Sequence, residues 1–167
     1  MDKIRTEPLT IFTAAGNGRP VWEARDGGGR WSSAGKRTIY GATTLALMLA
    51  ERLVHLRGEN PPADQRWVAA TVSSDLSVEE VDPLALPGWQ RDTHQASCRY
   101  GDKWLEEGRS LILLVPSVVM YRSVGTAAGD IPDRNVLVNP DHPDFDRIEV
   151  SEERPLTFDL RLFDVDG

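Results

Sequence analysis

Two groups in this chain have the most chemistry to offer: an arginine behind a glycine triplet, Gly27-Gly28-Gly29-Arg30-Trp31, and Glu51, a carboxylate inside an otherwise greasy helical stretch. Glycines let backbone N–H groups approach a phosphate, and an arginine fork can bind its oxygens in pairs. A carboxylate withdrawn from water costs several kcal/mol, roughly, unless something pairs with it or uses it. Together the two groups could hold an anionic substrate and stabilise positive charge developing on it. Each also has a plainer reading. The glycines can be a flexible loop, and Glu51 can be a structural ion pair with Arg52, His55 or a distant arginine. Glu51 and His55 are spaced i, i+4, so they project from one sector of the helix and should meet.

Other candidates are weaker alone. Ser117 follows the apolar run Leu111 to Val115 and Pro116, where a hydroxyl either meets a ligand at a sheet edge or simply ends the strand. No Gly-x-Ser-x-Gly elbow surrounds it, which speaks against an ordinary serine hydrolase. The glycine triplet matches neither a P-loop nor the Gly-x-Gly-x-x-Gly dinucleotide fingerprint. His55, His94 and His142 show no metal-binding spacing, and no metal is expected. His142 lies in Asn139-Pro140-Asp141-His142-Pro143, a turn whose short polar side chains cap backbone groups. The single cysteine, Cys98, excludes an internal disulfide and a cysteine-based zinc cluster, and reads as a small core residue rather than a nucleophile.

The elements that must position these groups follow from periodicity and punctuation. Leu9 to Ala14 reads as a strand ended by Gly16-Asn17-Gly18, and residues 19–37 as a long loop. A short strand at Thr38-Ile39-Tyr40 precedes a helix from about Thr44 to Arg57, with Thr43 or Thr44 as N-cap and Gly58 closing it before Pro61-Pro62. Leu45, Leu49, Leu53 and Leu56 stripe one side of that helix, and Leu47, Ala50 and Val54 cover much of the other, which marks it as central. Arg66 to Val72 is a strand, Asp92 to Glu107 a helix, and Leu111 to Val115 a strand buried on both faces. Arg134 to Asn139 is another strand. Leu156, Phe158, Leu160 and Leu162 alternate with polar neighbours as a last strand with one wet face, and the charge run Glu149 to Arg154 is a solvated strand end. The order of strands and few helices predicts one α+β domain over 1–167, with a mixed β core.

With 26 acidic and 19 basic residues, the net charge is -7 and there is no Lys/Arg run, so direct nucleic-acid binding is not expected. The start of the chain lacks a signal-peptide core, and no stretch approaches the roughly 20 apolar residues of a membrane span. A cytoplasmic protein is expected.

Taken in order, Gly28-Gly29-Arg30-Trp31, Ile39-Tyr40, Ala46 to Glu51 with His55, Val115-Pro116-Ser117, Asn135 to Pro143 and Phe158-Asp159-x-Arg161-Leu162 closely resemble the RES family, across about residues 9–163. That family, named for its arginine, glutamate and serine, comprises toxins of bacterial Xre–RES toxin–antitoxin pairs. The resemblance implies a fold like that of ADP-ribosyltransferases and consumption of NAD+ as substrate, with ADP-ribose passing to a protein, water or phosphate. It implies a cognate Xre-type antitoxin covering the active site. It places Arg30 and Glu51 in the catalytic pocket, with Tyr40, His55, Ser117 and Asn139 as substrate-binding residues. On this reading Glu51 would stabilise an oxocarbenium-like ribosyl cation and Arg30 would neutralise the diphosphate. Two departures stand out: Trp31-Ser32 replaces the usual Trp-Asn, and the first strand, Leu9 to Thr13, lacks the usual arginine. The alternative is a non-catalytic NAD-fold binding or interaction domain.

Overall fold

The computed structural model describes residues 5–57, 59, 63–124 and 131–163. Its frame is one eight-stranded mixed sheet. In chain order the strands are β1 (Leu9–Ala15), β2 (Ile39–Ala42), β3 (Arg66–Val72), β4 (Val78–Glu80), β5 (Ile112–Pro116), β6 (Arg134–Val138), β7 (Glu149–Val150) and β8 (Arg154–Pro155). They lie in the order β4-β5-β6-β2-β1-β3-β7, with β8 also pairing β3. Among the described residues only β4 and β5 run parallel; every other pairing is antiparallel. The architecture is α+β, as the element order predicts.

Side-chain alternation divides the core between the two faces of this sheet. Ile112 of β5 and Val136 and Val138 of β6 join Ile11, Ile39 and Val72 on one face. Leu113, Val115 and Leu137 point the other way and pack with Trp31, Trp89 and Trp104. The apolar run in β5 is therefore buried on both faces, as its composition indicates.

Helix α1 (Leu45–Leu56) starts where Thr44 Oγ1 accepts the Leu47 N–H at 3.2 Å. Its left-handed C-cap is Arg57, at φ 50°; the expected closing glycine, Gly58, and Pro61-Pro62 fall outside the described residues. The expectation that α1 is central needs correction. Leu47 and Met48 are buried against Ala42 and Phe12, whereas Leu45 is 40% and Val54 54% exposed. One face meets the sheet, and part of the remaining apolar surface borders a cavity.

Helix α2 (Gln95–Glu107) begins three residues later than expected, after a left-handed His94. A seven-residue helix, α3 (Val118–Val124), follows β5 directly. The last expected strand, Leu156 to Leu162, is also corrected: the pairing stops just before it, at Arg154–Pro155, and Leu160–Leu162 forms a 3-10 turn. There Asp159 Oδ1 accepts the Arg161 N–H at 3.0 Å, turning the backbone away from a ladder despite the alternating pattern. Among the described residues, no helix is long and apolar enough to cross a membrane.

Candidate active site

A cavity of about 910 Å³ opens between the glycine loop, β2, α1 and α3. The loop owes its course to small residues. Gly28 sits at φ 75°, the Gly29 N–H donates to the Ser32 carbonyl at 2.8 Å, and a Cβ on Gly29 would lie 2.8 Å from the Tyr40 hydroxyl. Beneath it, the Trp31 ring is buried beside Trp89, with centroids 6.3 Å apart. Gly101 of α2 faces the Trp31 carbonyl so closely that a Cβ there would come within 1.7 Å of the oxygen. Ser33 completes the anchorage, donating its N–H to Asp102 Oδ1 at 2.8 Å. The triplet is thus a fixed turn clamped onto α2, not a loose connection.

Arg30 projects from this turn into the cavity, and its Nη1 donates to the carbonyls of Arg91 (2.8 Å) and Trp89 (3.2 Å). Burial, then the Arg122 charge, pull its pKa below the usual value, while Asp92 and Glu51 pull it back. An arginine stays protonated in such surroundings, and among the described residues no carboxylate bonds this one. The cavity wall also includes Arg25, Arg52 and Arg122, against Glu23 and Glu51 as acids. An electropositive cavity in a chain of net charge -7 selects an anionic ligand.

Glu51 reaches the same cavity from α1, but its partners differ from those expected. Ser117 Oγ donates to its Oε1 at 2.8 Å and Asn135 Nδ2 donates to the same oxygen at 2.6 Å. The local pairs with His55 and Arg52 do not form: Arg52 bonds Gln65, and His55 sits exposed on the cavity wall. Ser117 itself is buried and absent from the wall; its oxygen accepts the Met120 N–H at 3.2 Å and so begins α3. It touches Glu51 from behind.

Tyr40 lines the cavity from β2, its hydroxyl 2.8 Å from Ser32 Oγ. Burial pushes its pKa up to about 12, despite hydrogen bonds with Ser32 and the Trp31 backbone, so it is a neutral phenol. Asn139 lies elsewhere. Its side chain is buried and accepts the Asp141 N–H at 3.0 Å, capping a turn beyond β6, and it is not on the cavity wall. His142 does similar capping work, its Nδ1 accepting the Asp144 N–H at 3.1 Å. Cys98 donates weakly to the Gly29 and Arg30 carbonyls, and burial pushes its thiol pKa up, which suits a tether rather than a nucleophile.

Sequence reasoning passed over Asn135, four residues or about 13 Å of strand before Asn139. Only the register tells the two apart: antiparallel pairing of β6 with β2 puts Asn135 opposite Ala42, at the end nearest α1. Arg122 and His94 were also passed over, and neither stands out in type or spacing.

The chain and its fold are those of a known class. The model of the RES domain matches residues 9–159, and the chain belongs to that family. Among its relatives is the Prs ADP-ribosylating toxin of Sphingobium sp. (strain YBL2), 32% identical over 139 residues that cover 81% of this chain and 80% of that protein. Toxin Res of Yersinia enterocolitica is 30% identical over 133 residues, covering 78% and 80%. Among solved structures, the Mycobacterium tuberculosis MbcT–MbcA toxin–antitoxin complex contains a chain of the same fold. The TM-score is 0.64 at 18% identity, over 90% of this chain and 85% of that one.

Proposed function

We propose that this chain is the toxin of a toxin–antitoxin pair, an enzyme that cleaves the nicotinamide–ribose bond of NAD+ and passes ADP-ribose to a protein side chain, water or phosphate. The observation that supports it most is a carboxylate held on one oxygen, in the same electropositive cavity as an arginine that bonds no carboxylate among the described residues. The names of the relatives point to the same activity.

In this reading Arg30, with Arg122 beside it, binds the diphosphate and fixes the dinucleotide. Glu51 faces the ribose with Oε2, the oxygen without a protein partner among the described residues. As the C–N bond breaks, its electron pair leaves on the nicotinamide nitrogen and positive charge develops on the ribosyl carbon, where the carboxylate stabilises it. The acceptor's oxygen or nitrogen then bonds that carbon and gives up its proton. Tyr40, a neutral phenol, donates a hydrogen bond or packs against a ring; His55 borders the same space. Ser117 acts through Glu51, while Asn139 shapes the turn after β6. By the same family reasoning, an Xre-type antitoxin covers this cavity, and the protein works in the cytoplasm.

The test uses purified protein freed of any partner and NAD+ labelled on the adenylate phosphate, with and without phosphate and cell extract. Label on a protein band marks ADP-ribosyl transfer; a small-molecule product alone marks hydrolysis, or phosphorolysis if phosphate is required. Glu51→Gln keeps the shape and removes the charge. Equal consumption by the folded variant refutes the role given to Glu51; no consumption by either protein refutes the enzymatic reading and leaves a binding domain.

A further inference from the structure

The cavity wall carries a second pair of arginines, Arg25 and Arg52, that the chemistry at Arg30 and Glu51 leaves unused. Arg52 follows Glu51 on α1, about 100° further round the helix, so the two side chains part. Glu51 turns to Ser117 and Asn135, and Arg52 turns to Gln65, which leads into β3 beside the end of β1. Gln65 is buried, and Gly16 makes room for it, since a Cβ there would come within 1.8 Å of Gln65 Nε2. Its Oε1 accepts from Arg52 Nη2, which orients the guanidinium without neutralising it. Arg52 Nε is enclosed by protein. Nη1 makes no hydrogen bond among the described residues and is the edge left for the cavity that Arg52 lines.

The acids of this region are spent elsewhere. Asp64 accepts the Asn17 and Gly18 N–H groups, and Glu153 pairs with Arg66 at 2.7 Å while accepting the Val21 N–H at 2.8 Å. Where Arg66 has a carboxylate, Arg52 has an amide. Arg25 is exposed on the wall, and among the described residues it pairs with no acid. Glu23 is the one acid lining this end, exposed and bonded to neither guanidinium. Burial lowers the Arg52 pKa and the Arg25 charge lowers it further, so the two cations stand near one another. Arg30 responds instead to Arg122, Asp92 and Glu51, which makes the two arginine pairs electrically separate. Like charges held together without an acid between them repel, and an anion that bridges them removes the cost.

We propose that Arg25 and Arg52 form a second phosphate site in this cavity, distinct from the one at Arg30 and Arg122. A phosphate group carries close to two charges at neutral pH and offers oxygens that two guanidinium groups can share, whereas a carboxylate fills one fork. His55, three residues after Arg52 and on the same wall, adds a further donor. At about 910 Å³ the cavity lies near the upper end for small-molecule sites, which leaves room for a group beyond a diphosphate and a ribose. The phosphate has two sources. It is either a monoester carried on the dinucleotide, as at the adenosine 2′-position of NADP+, or free inorganic phosphate. The site stands on its own geometry; only the first source rests on the proposed NAD+-cleaving function.

The experiment uses the full chain, with NADP+ against NAD+ as one probe and inorganic phosphate alone as the other. If the dinucleotide carries the phosphate, wild type prefers NADP+ by about 10-fold or more in kcat/KM, and Arg25→Gln and Arg52→Gln each cut that ratio about 10-fold. If the phosphate is free, about 10 mM inorganic phosphate raises the Tm of wild type and of Arg30→Gln, and the rise falls by about half or more in Arg25→Gln and Arg52→Gln. Arg25→Gln removes an exposed side chain, so it keeps the test alive should Arg52→Gln fail to fold. Folded variants that retain both the wild-type ratio and the wild-type phosphate shift overturn the site. A wild type that neither favours NADP+ nor is stabilised by phosphate does the same, as does a shift lost only in Arg30→Gln with the ratio unmoved. Should neither dinucleotide be consumed, the enzymatic reading fails by itself, and the preference is read as the Tm rise given by NADP+ against NAD+. Consumption of NAD+ with neither readout dependent on Arg25 or Arg52 refutes the site and leaves the enzymatic reading standing.

Discussion

Two arginines in this protein are both partly withdrawn from solvent and both tied to backbone carbonyls, yet they have opposite uses. Arg134, at the start of β6, donates its Nε to Glu80 at 2.7 Å and also reaches the carbonyls of Ile131 and Asp133. Its charge is matched and its side chain is 11% exposed. Among the described residues Arg30 donates only to the carbonyls of Trp89 and Arg91, and the charge that acts most on it is that of a like-charged arginine, Arg122, ahead of Asp92. Carbonyls orient a guanidinium without neutralising it. One carboxylate oxygen, that of Glu80, therefore distinguishes an arginine that fastens the sheet from one held ready for an anion. Arg122 is an intermediate case, paired with Asp92 at 2.6 Å while its charge still acts on Arg30.

The contrast breaks most sharply by exchange of charge for shape. Arg30→Gln retains an N–H for the two carbonyls, so the variant should fold, yet kcat/KM for NAD+ should fall about 100-fold through the lost diphosphate contact. Arg30→Lys should recover only part of this, since an ammonium lacks the fork. Arg134→Gln should do the reverse: it lowers stability by about 1–2 kcal/mol, read as a fall in Tm, with kcat/KM per folded molecule unchanged. Comparable losses of kcat/KM in Arg30→Gln and Arg134→Gln would erase the distinction.

The support under Arg30 can be attacked separately. Gly101→Ala places a Cβ against the Trp31 carbonyl, a backbone atom that cannot swing aside. Overpacking of this kind costs about 1–3 kcal/mol, more than the roughly 1 kcal/mol that alanine contributes to a helix. The expected result is a lower Tm together with a raised KM, because the turn presenting Arg30 must move. Unchanged KM in a destabilised variant would mean that the turn and α2 are not coupled in the way the clamp suggests.

Much of the frame was legible because periodicity is local. β1, β3, β5 and α1 follow from apolar alternation or helical spacing and a capping threonine, within a residue or two at their ends. Short elements were not, since three residues in β4 and seven in α3 are too few to show a period. The Leu156 to Leu162 alternation looked like a strand, and only Asp159 bonding its own backbone decided otherwise. Arg30, Tyr40, Glu51 and His55 could be marked from sequence as neighbours of one cavity. The partners of Glu51 could not be derived from helical spacing, because they lie 66 and 84 residues away and meet it only after β5 and β6 pair. For the same reason Asn139 drew attention and Asn135 did not: two asparagines on one motif look alike until the sheet register separates the cavity end from the turn.

The smallest effect sharpens the comparison, because it reads the unmatched charge directly. His94 lines the same cavity, and its pKa is lowered, first by burial and then by Arg30 and Arg122, against an opposing pull from Asp92. The folded chain therefore holds this proton less tightly than an unfolded histidine does near pH 6.5. Between the two values the unfolded state binds the proton and the folded state does not, so stability rises with pH through that window and falls as pH drops below about 6.5. The group is only partly buried and solvent screens it, so the change should be a small difference in Tm between pH 7.5 and 5.5. His94→Asn should flatten that difference slightly relative to wild type. Inorganic diphosphate at saturating concentration should do the same to wild type by matching the charge of Arg30 and Arg122, and should do less to Arg30→Gln. A wild-type slope that diphosphate leaves untouched would mean that burial alone lowers His94, and that the positive charge of this wall is already satisfied within the protein.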